Sequence, residues 1–392
     1  MSAHPDPRQL LPVEAYTTAD WFERERAELF GRVWAFAAMT EDLAEPGDFV
    51  SLQAGRYPLV VLCDGKGVLR AFHNVCRHRG SRLLEGAGNV GRGIRCFYHN
   101  WAYDLAGRLR SVPQEATQFP GLDKSCYGLH AAGVATLRNM VFVHPDPGAA
   151  PFEDWLDGFP ETLGPHPVES LIEVSRYRYR VRANWKIVIE NFIDGYHFFY
   201  LHPVSLGDGD FSRQDWTPSG RHWSFYRPLK PGVAHNREML PVVEGVDPTY
   251  GAGAYVLFPN LALYATATYW STFLVEPVAP DHSIVDIRVR AMPEALDRIP
   301  AETDDGRDLP DCLISATGPL GGRRMMATSA GVHPLGSDDV MLEDIYACEA
   351  VQKGMASPMF EVGPMSKFES SVTFHQQQVL DFMPLQSAAA RP

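Results

Sequence analysis

The chain has 392 residues, of which 45% are hydrophobic and 11% aromatic, and its formal net charge is −13. This length suits two folded domains with substantial cores, and the lack of any run of about 18 apolar residues argues against a membrane span. The negative charge argues against a general nucleic-acid binder, because such proteins need clustered Lys and Arg to neutralise phosphates.

The N-terminal segment and the cysteines indicate the compartment. The first residues, MSAHPDPRQLLPVEAY, show no basic stretch followed by an apolar one, so we expect no signal peptide. Four of the six cysteines, Cys63, Cys126, Cys312 and Cys348, follow no repeated spacing and do not form a disulfide framework. A reducing compartment is the natural interpretation, and we expect a cytoplasmic protein.

The first third of the chain predicts a helix followed by short strands. The segment TADWFERERAELFG favours a helix with Thr18 as N-cap and Gly31 at its end. We expect residues 1–33 to pack on the larger domain. Residues 34–150 are typical of short antiparallel strands, with the clearest hairpin at 59–69, and predict a small β-domain that presents two loops at one end.

These two loops carry the strongest motif of the sequence. Cys76-Arg77-His78 is followed by 17 residues and then by Cys96-Phe97-Tyr98-His99. Zinc fingers usually pair Cys with Cys and His with His, whereas each half here contributes one of each. Two thiolates and two imidazoles are the ligand set of a Rieske [2Fe–2S] centre, in which two histidines replace two cysteines on one iron. We predict Cys76, His78, Cys96 and His99 as cluster ligands, with zinc binding or coincidence as the alternatives.

A connection and a second domain follow. Proline and glycine are frequent from Pro145 to Pro167, which places the domain boundary there and leaves room for only a short helix at 152–156. Residues 172–174 and 177–181 then predict strands. We assign 151–392 to the larger domain.

A second informative stretch runs from Asn184 to His197. If it is helical, Glu190, Asp194 and His197 fall on one side at i, i+4 and i+7, with Asn191 beside them. Polar residues at these steps in an otherwise apolar segment would point into a shared interior, where buried polar groups need a reason.

A further histidine extends this stretch. His202 follows His197 by five residues, and Pro203 indicates that a helix ends or bends nearby. Two histidines at this separation can meet at one metal, although ordinary core or surface histidines explain the pair equally well.

Residues 76–99 together with the motif NWK-x3-EN-x2-D-x2-H-x4-H resemble the α-subunits of Rieske non-haem iron ring-hydroxylating oxygenases, and the similarity covers essentially the whole chain. The resemblance implies an α+β fold: a small all-β Rieske domain and a catalytic domain with an antiparallel sheet flanked by helices, of the helix-grip or START-like kind. It also implies that His197 and His202 bind mononuclear Fe(II) with a downstream carboxylate, leaving open positions for O₂. Asp344 in VMLEDIYACEAVQKGMAS is the best match for that acid, which in the family commonly precedes a helix; Glu343, Asp338 and Asp339 are competitors.

The resemblance further implies how electrons travel. A separate reductase, or a ferredoxin, supplies the cluster, which serves the iron of the neighbouring subunit in a head-to-tail ring, usually a trimer. The acid that matches Asp194 bridges His197 and His99 of the partner subunit, so Asp194, with Asn191 beside it, is a predicted catalytic residue. No G-x-G-x-x-G fingerprint follows a strand, so we expect NAD(P)H to act only through the reductase.

Two substrate classes compete, and one alternative lies outside oxygenases. Ring hydroxylation of an aromatic compound is the broader family function and the main expectation. The segment EDIYACEAVQKGM also resembles members that act on quaternary amines, in which a cation–π cage would hold a betaine or choline-like compound for oxidative N-demethylation. A Rieske electron-transfer protein without a mononuclear iron is the remaining alternative. The candidate pocket residues are Asn191, Phe198, Tyr264, Tyr269, Trp270 and Phe273.

Overall fold

The computed structural model describes residues 4–233, 240–298, 310–319 and 333–385. Its contacts divide the chain into a smaller unit, Arg24–Trp155, and a larger unit made of Leu156 onward and the residues up to Glu23. We predicted that residues 1–33 pack on the larger domain, whereas residues 24–33 belong to the smaller unit. The reason is local packing, since Arg26 donates to the Gly55 carbonyl at 3.4 Å.

The smaller unit is built from ten antiparallel strands. Seven strands form one sheet in the order β1-β10-β9-β4-β3-β2-β5, and β6-β7-β8 form a second. The bounds are β1 Ala35–Met39, β2 Asp48–Ala54, β3 Tyr57–Cys63, β4 Leu69–His73, β5 Ala87–Asn89, β6 Gly93–Arg95, β7 Ala102–Asp104, β8 Leu109–Ser111, β9 Ala131–Leu137 and β10 Met140–His144.

Strand β3 lies between the two cores of this unit. Its side chains alternate between the two faces of the sheet, as they must in an extended strand. Val60 and Leu62 pack into the core that also contains Cys76 and Cys96, whereas Leu59 and Val61 pack into the core on the other face. All four residues are fully buried, so a slip of one residue in register would exchange the two cores.

The helices of the N-terminal part, of the β-domain and of the connection are short. The predicted helix from Thr18 divides into α-helical and π-helical segments, and the Thr18 hydroxyl accepts a hydrogen bond from the Trp21 amide at 3.4 Å. The segments are α1 Glu14–Thr17, α2 Ala19–Arg24, a π-helix at Glu25–Leu29, α3 Glu115–Gln118 and α4 Phe152–Leu156.

The larger unit contains an antiparallel sheet of eight strands in the order β12-β13-β14-β15-β16-β17-β11-β18. Its strands are β11 Ile172–Val181, β12 Asp215–Ser219, β13 His222–Arg227, β14 Ala252–Leu257, β15 Leu261–Thr266, β16 Trp270–Ala279, β17 His282–Ala291 and β18 Leu313–Thr317. From Leu156 onward, the α-helices of the described ranges are α5 Trp185–Ile193, α6 Phe198–Leu201, α7 Val340–Met355 and α8 Ser370–Phe382. None of the helices in the described ranges is both long and apolar enough to cross a membrane.

Helix α5 is anchored at its N-terminus by a buried polar group. The Asn184 side chain caps the helix by accepting from the Lys186 backbone amide at 3.0 Å. The backbone amide of Asn184 donates to the Gln352 side chain of α7 at 2.8 Å. The Lys186 ammonium is fully buried, donates to the Asn184 side chain at 2.8 Å and lies 5.1 Å from the Tyr16 ring centre. These contacts satisfy the buried charge and hold α5 beside α7, which places the segment after α5 near the first turns of α7.

Candidate functional site

The two Cys–His loops of the smaller unit lie at the ends of short strands. Cys76 follows β4, and the Gly80 amide donates to its carbonyl at 3.0 Å; Cys96 follows β6, and the Asn100 amide donates to its carbonyl at 2.8 Å. Gly80 and Asn100 both have positive φ angles, 75° and 58°, which these tight turns require. Each turn therefore brings the thiol and the imidazole of its own loop to one end of the sheet.

The four predicted cluster ligands come together. The Cys76 and Cys96 thiols are buried and lie near each other, and the ring centres of His78 and His99 are 4.6 Å apart. His78 stacks on Trp101 at 4.8 Å, and its Nδ1 is buried without a hydrogen-bond partner in the described ranges. Two adjoining thiols, two adjoining imidazoles and an orphaned ring nitrogen suit a cluster with sulfur on one iron and nitrogen on the other.

Tyr103 sits directly behind one thiol. Its hydroxyl lies 3.4 Å from Cys76 Sγ and accepts from the Arg77 amide at 3.0 Å. Burial raises the pKa of the Tyr103 phenol, so the group keeps its proton and can donate to a Cys76 thiolate. Such a bond favours the more negative, reduced cluster.

Replacing Tyr103 with phenylalanine is expected to lower the reduction potential of the cluster by roughly 40 mV, the equivalent of one net hydrogen bond of about 1 kcal/mol. Protein-film voltammetry measures the shift. Tyr127→Phe is the matched control, because Tyr127 also packs against Trp101 but is partly exposed. Equal potentials for the Tyr103 variant and the wild type would show that the hydroxyl does not donate to the sulfur.

In the larger unit, helix α5 ends at Ile193, earlier than the sequence predicted. Asp194 has an extended backbone, and its carboxylate accepts from the Tyr196 amide at 2.6 Å. This side-chain hydrogen bond competes with those of the helix, so the chain changes direction before α6, whose N-cap is His197. The prediction of one helix through His197 is therefore wrong.

Glu190 also departs from the predicted arrangement. Its carboxylate accepts from the Tyr16 hydroxyl at 2.7 Å and from Gln376 at 3.0 Å. Because the chain turns after Ile193, Glu190 does not share a face with His197, and it belongs to the polar contacts that join the N-terminal segment to α8.

The structure groups His197, His202 and Asp344. One possible ligand atom from each lies within 4.8 Å of the others, and the two imidazole ring centres are 5.1 Å apart. His202 Nε2 lies 2.9 Å from Asp344 Oδ1, and His197 Nε2 lies 3.7 Å from the same oxygen. Asp344 is in the first turns of α7 rather than before a helix, which differs from the expected position of the acid.

The polar atoms of this group suit a metal ion. Both ring nitrogens of His197 are buried without a hydrogen-bond partner in the described ranges, although Nδ1 lies 3.2 Å from Asp194 Oδ2. His202 Nδ1 lies 2.7 Å from Glu343 Oε2, and a proton on Nδ1 leaves Nε2 as an acceptor facing the Asp344 carboxylate. Two acceptors at 2.9 Å are reconciled by a cation, and two histidines with one carboxylate are the donor set of non-haem iron(II).

The competing acids have other roles. Glu343 is buried and accepts from the Ser205 hydroxyl at 2.6 Å as well as from His202, so it orients the ring from behind. Asp339 caps α7 by accepting from the amides of Met341 and Leu342 at 2.9 and 3.2 Å. Asp338 and Asp339 line the adjacent cavity but are not part of the three-residue group. The sequence identified all four acids as candidate ligands, but only the direction of α7 shows which of them faces the two histidines.

A cavity of about 390 Å³ adjoins His197, His202 and Asp344. Five of the six predicted pocket residues line it: Asn191, Phe198, Tyr264, Tyr269 and Phe273. Trp270 is not among the lining residues. It lies on β16 next to Ser271, and because strand side chains alternate, Ser271 and Phe273 face the cavity while Trp270 packs on the other side of the sheet.

The cavity also contains residues that the sequence interpretation missed. Tyr177 and Tyr179 line it from β11, where their i, i+2 spacing already placed them on one face of a predicted strand. Arg227, at the end of β13, lines it as well. No sequence signal identified Arg227, because its neighbours in the cavity come from distant parts of the chain.

Comparisons with known proteins agree with the two-unit structure. The family model described as "Rieske [2Fe-2S] domain" matches residues 33–132, and that described as "Ring hydroxylating alpha subunit (catalytic domain)" matches residues 168–385. The fold and these matches define a class of protein, one that joins a Rieske domain to an oxygenase catalytic domain. The chain belongs to the ring-hydroxylating oxygenase α-subunit family, whose cofactors are a Rieske [2Fe–2S] cluster and a mononuclear iron. The predicted family, fold class and cofactors are thereby confirmed.

Several relatives are similar over part of the chain. The carnitine monooxygenase oxygenase subunit of Acinetobacter baumannii is 30% identical over 60% of this chain and 62% of its own length. The glycine betaine monooxygenase oxygenase subunit of Chromohalobacter salexigens is 28% identical over 70% of this chain and 69% of its own. The biphenyl 2,3-dioxygenase subunit alpha of Rhodococcus jostii is 30% identical over 64% and 53%. The match therefore spans less than two thirds of the Acinetobacter and Rhodococcus relatives.

A solved structure shows the same fold over most of the chain. The quaternary ammonium Rieske monooxygenase in complex with L-carnitine superposes with a TM-score of 0.72, covering 95% of this chain and 94% of the other at 21% identity. At this identity the likeness concerns the fold alone.

Proposed function

We propose that the chain is the terminal oxygenase of a Rieske non-haem iron system that hydroxylates a quaternary ammonium compound. The cavity carries this proposal: it is walled by aromatic rings and adjoins His197, His202 and Asp344. Aromatic faces attract a cation without hydrogen bonds, which suits a quaternary ammonium group. The sequence favoured an aromatic substrate, but the carnitine and glycine betaine relatives support the alternative more strongly than the biphenyl relative supports the main expectation.

In this proposal residues 34–150 form the Rieske domain, where Cys76, His78, Cys96 and His99 hold the cluster, and residues 151–392 form the catalytic domain. His197, His202 and Asp344 hold the iron, and Asn191 supplies a polar group to the cavity wall. When bound, the cluster carries single electrons and the iron activates O₂ at its open positions. The buried thiols, the orphaned imidazole nitrogens and the facing His202 and Asp344 acceptors support this assignment.

The protein's own groups would orient the reaction. The rings of the cavity hold the ammonium group and exclude water, so that a carbon bonded to nitrogen, such as an N-methyl group, faces the two histidines. One oxygen atom of O₂ then enters a C–H bond, and two electrons and two protons reduce the other to water. The resulting N–C–OH group releases an aldehyde and the smaller amine, which accounts for demethylation.

Other subunits and proteins take part in this scheme. We propose that a reductase, or a ferredoxin, delivers the electrons, and that copies of the chain form a head-to-tail ring, most simply a trimer. Within the ring, Asp194 would accept a hydrogen bond from His99 of the partner subunit and lie against its own His197, whose Nδ1 is 3.2 Å away. This carboxylate would join the two centres across the subunit boundary.

Oxygen uptake with purified protein and a surrogate reductase tests the function. We expect glycine betaine or carnitine to stimulate O₂ uptake with an equal amount of aldehyde formed, and aromatic acids to stimulate it weakly. Uptake with aromatic acids and no aldehyde from any quaternary amine would overturn the proposed substrate. If the intact chain held the [2Fe–2S] cluster but no mononuclear iron, an electron-transfer protein would be favoured.

The role of Glu343 gives a separate prediction about the iron. Glu343→Gln keeps the size of the side chain but removes the charge that holds His202 Nδ1–H, so we expect iron affinity to fall about 10- to 100-fold. Competition with a chelator measures the loss. Glu349→Gln, in the same helix but bonded to the Arg182 amide, is expected to retain the wild-type affinity. If both variants kept the wild-type iron affinity, Glu343 would not position His202.

A further inference from the structure

The cavity contains one positively charged side chain whose hydrogen bonds are incomplete. Arg227 is only 5% exposed and lines the cavity from the end of β13. Its guanidinium carbon lies 4.9 Å from the Phe211 ring centre and 5.8 Å from that of Phe198, and one nitrogen donates to the Tyr264 hydroxyl at 3.3 Å. Its Nε is buried without a partner, and no residue in the described ranges forms an ion pair with it.

Such a group needs an anion. Burying a permanent charge in an apolar wall is costly, and two ring faces and one hydroxyl compensate for only part of the lost hydration. The planar guanidinium presents parallel N–H donors whose geometry matches the two oxygens of a carboxylate. Since the protein's described residues supply no such partner, the cavity is prepared for a carboxylate that arrives with the ligand.

Opposite charge lies on another part of the same wall. Asp338 and Asp339 line the cavity where α7 begins, together with Tyr177 and Tyr179 of β11. Asp339 lies close enough to both tyrosines to contribute to the raised pKa of each phenol, after the larger effect of burial. One part of the cavity therefore combines carboxylates with aromatic rings, and another presents Arg227.

We infer that Arg227 is the residue that binds the substrate's carboxylate, and that the substrate is a zwitterion whose quaternary ammonium group lies against Tyr177 and Tyr179. This inference rests on the proposed function for the reaction and adds to it the substrate class and the residue that selects it. Choline-like cations, which lack a carboxylate, leave Arg227 unpaired and are disfavoured.

Isothermal titration of the holoenzyme and steady-state O₂ uptake test the inference with glycine betaine and choline. We expect the wild type to prefer glycine betaine. Arg227→Gln should raise the Kd and KM for glycine betaine about 30-fold or more while leaving those for choline unchanged or lower. Arg227→Lys keeps the charge but loses the paired N–H donors of the guanidinium, so its Kd and KM for glycine betaine should lie between those of the wild type and Arg227→Gln. This variant also guards against a folding defect in Arg227→Gln.

Arg221→Gln is the matched control. Arg221 also stacks on a phenylalanine, with its guanidinium carbon 5.2 Å from the Phe382 ring centre, but it does not line the cavity. A wild type that binds glycine betaine and choline equally, or an Arg227→Gln variant that loses both equally, would overturn the inference and leave the proposed function standing. Binding of benzoate, with no quaternary substrate and the same dependence on Arg227, would support the carboxylate assignment and overturn the proposed substrate.

Discussion

Replacing His202 with alanine is expected to abolish hydroxylation and to lower the iron content from about three to about two atoms per chain, because the cluster keeps its two irons while the mononuclear site loses a ligand. His202 is fully buried between Glu343 and Asp344, so its loss also leaves two carboxylates facing each other without a shared partner. His197 and Asp344 remain, and they supply only two of the three ligands that the site offers to the iron. Iron analysis and the EPR signal of the reduced cluster measure the two centres separately.

His375→Gln is the matched control for this experiment. His375 is also buried in the larger unit, but its Nε2 donates to the Pro259 carbonyl at 3.0 Å and it does not line the cavity. We expect the control to keep the full iron content and activity. If the His202 variant retained all of its iron, His202 would not be a ligand; if it lost the cluster signal as well, the change would be one of folding.

The second large effect is expected at Asp194. Asp194→Asn should leave both metal centres occupied and slow turnover about 100-fold or more. The variant keeps an oxygen that can accept from the Tyr196 amide, so the turn before α6 is preserved. It loses the negative charge beside His197 and the ability to accept from two imidazoles at once, which is the role that we propose across the subunit boundary.

The rate at which the reduced cluster is reoxidised in a single turnover measures this effect directly, since it reports electron transfer rather than substrate binding. Asp210→Asn is the control, because Asp210 accepts from the Ser212 amide in a similar turn and does not line the cavity. Normal product formation by the Asp194 variant with normal iron content would rule out the bridging role.

Local spacing made several features predictable. The two Cys–His loops are short, and each is closed by a tight turn at Gly80 or Asn100, so the pattern of residue types was enough to suggest a cluster. His197 and His202 flank the single turn of α6, which explains why their separation suggested one metal despite the irregular helix. The strand predicted at Tyr177–Val181 is part of β11. It was predictable because the alternation of side chains in a strand is visible within a few residues.

The failures came where distant contacts competed with local preference. The helix predicted through His197 ends at Ile193 because the Asp194 side chain caps a turn and the Gly195 amide donates to Phe368, far along the chain. Trp270 was placed in the pocket by its aromatic character, but the register of β16 turns it away. Residues 1–33 were predicted to pack on the larger domain, whereas contacts such as Arg26 with Gly55 keep residues 24–33 in the smaller unit.

The sequence by itself determined the family and the residue types proposed for both centres, because these depend on spacings that hold within single loops and turns. Only the tertiary structure decided which of two adjacent acids faces which nitrogen of His202, since a helix points Glu343 and Asp344 in directions about 100° apart and the docking of α7 selects between them. It likewise decided the place of Arg227, whose contacts with Phe198, Phe211 and Tyr264 exist only when four separate segments fold together.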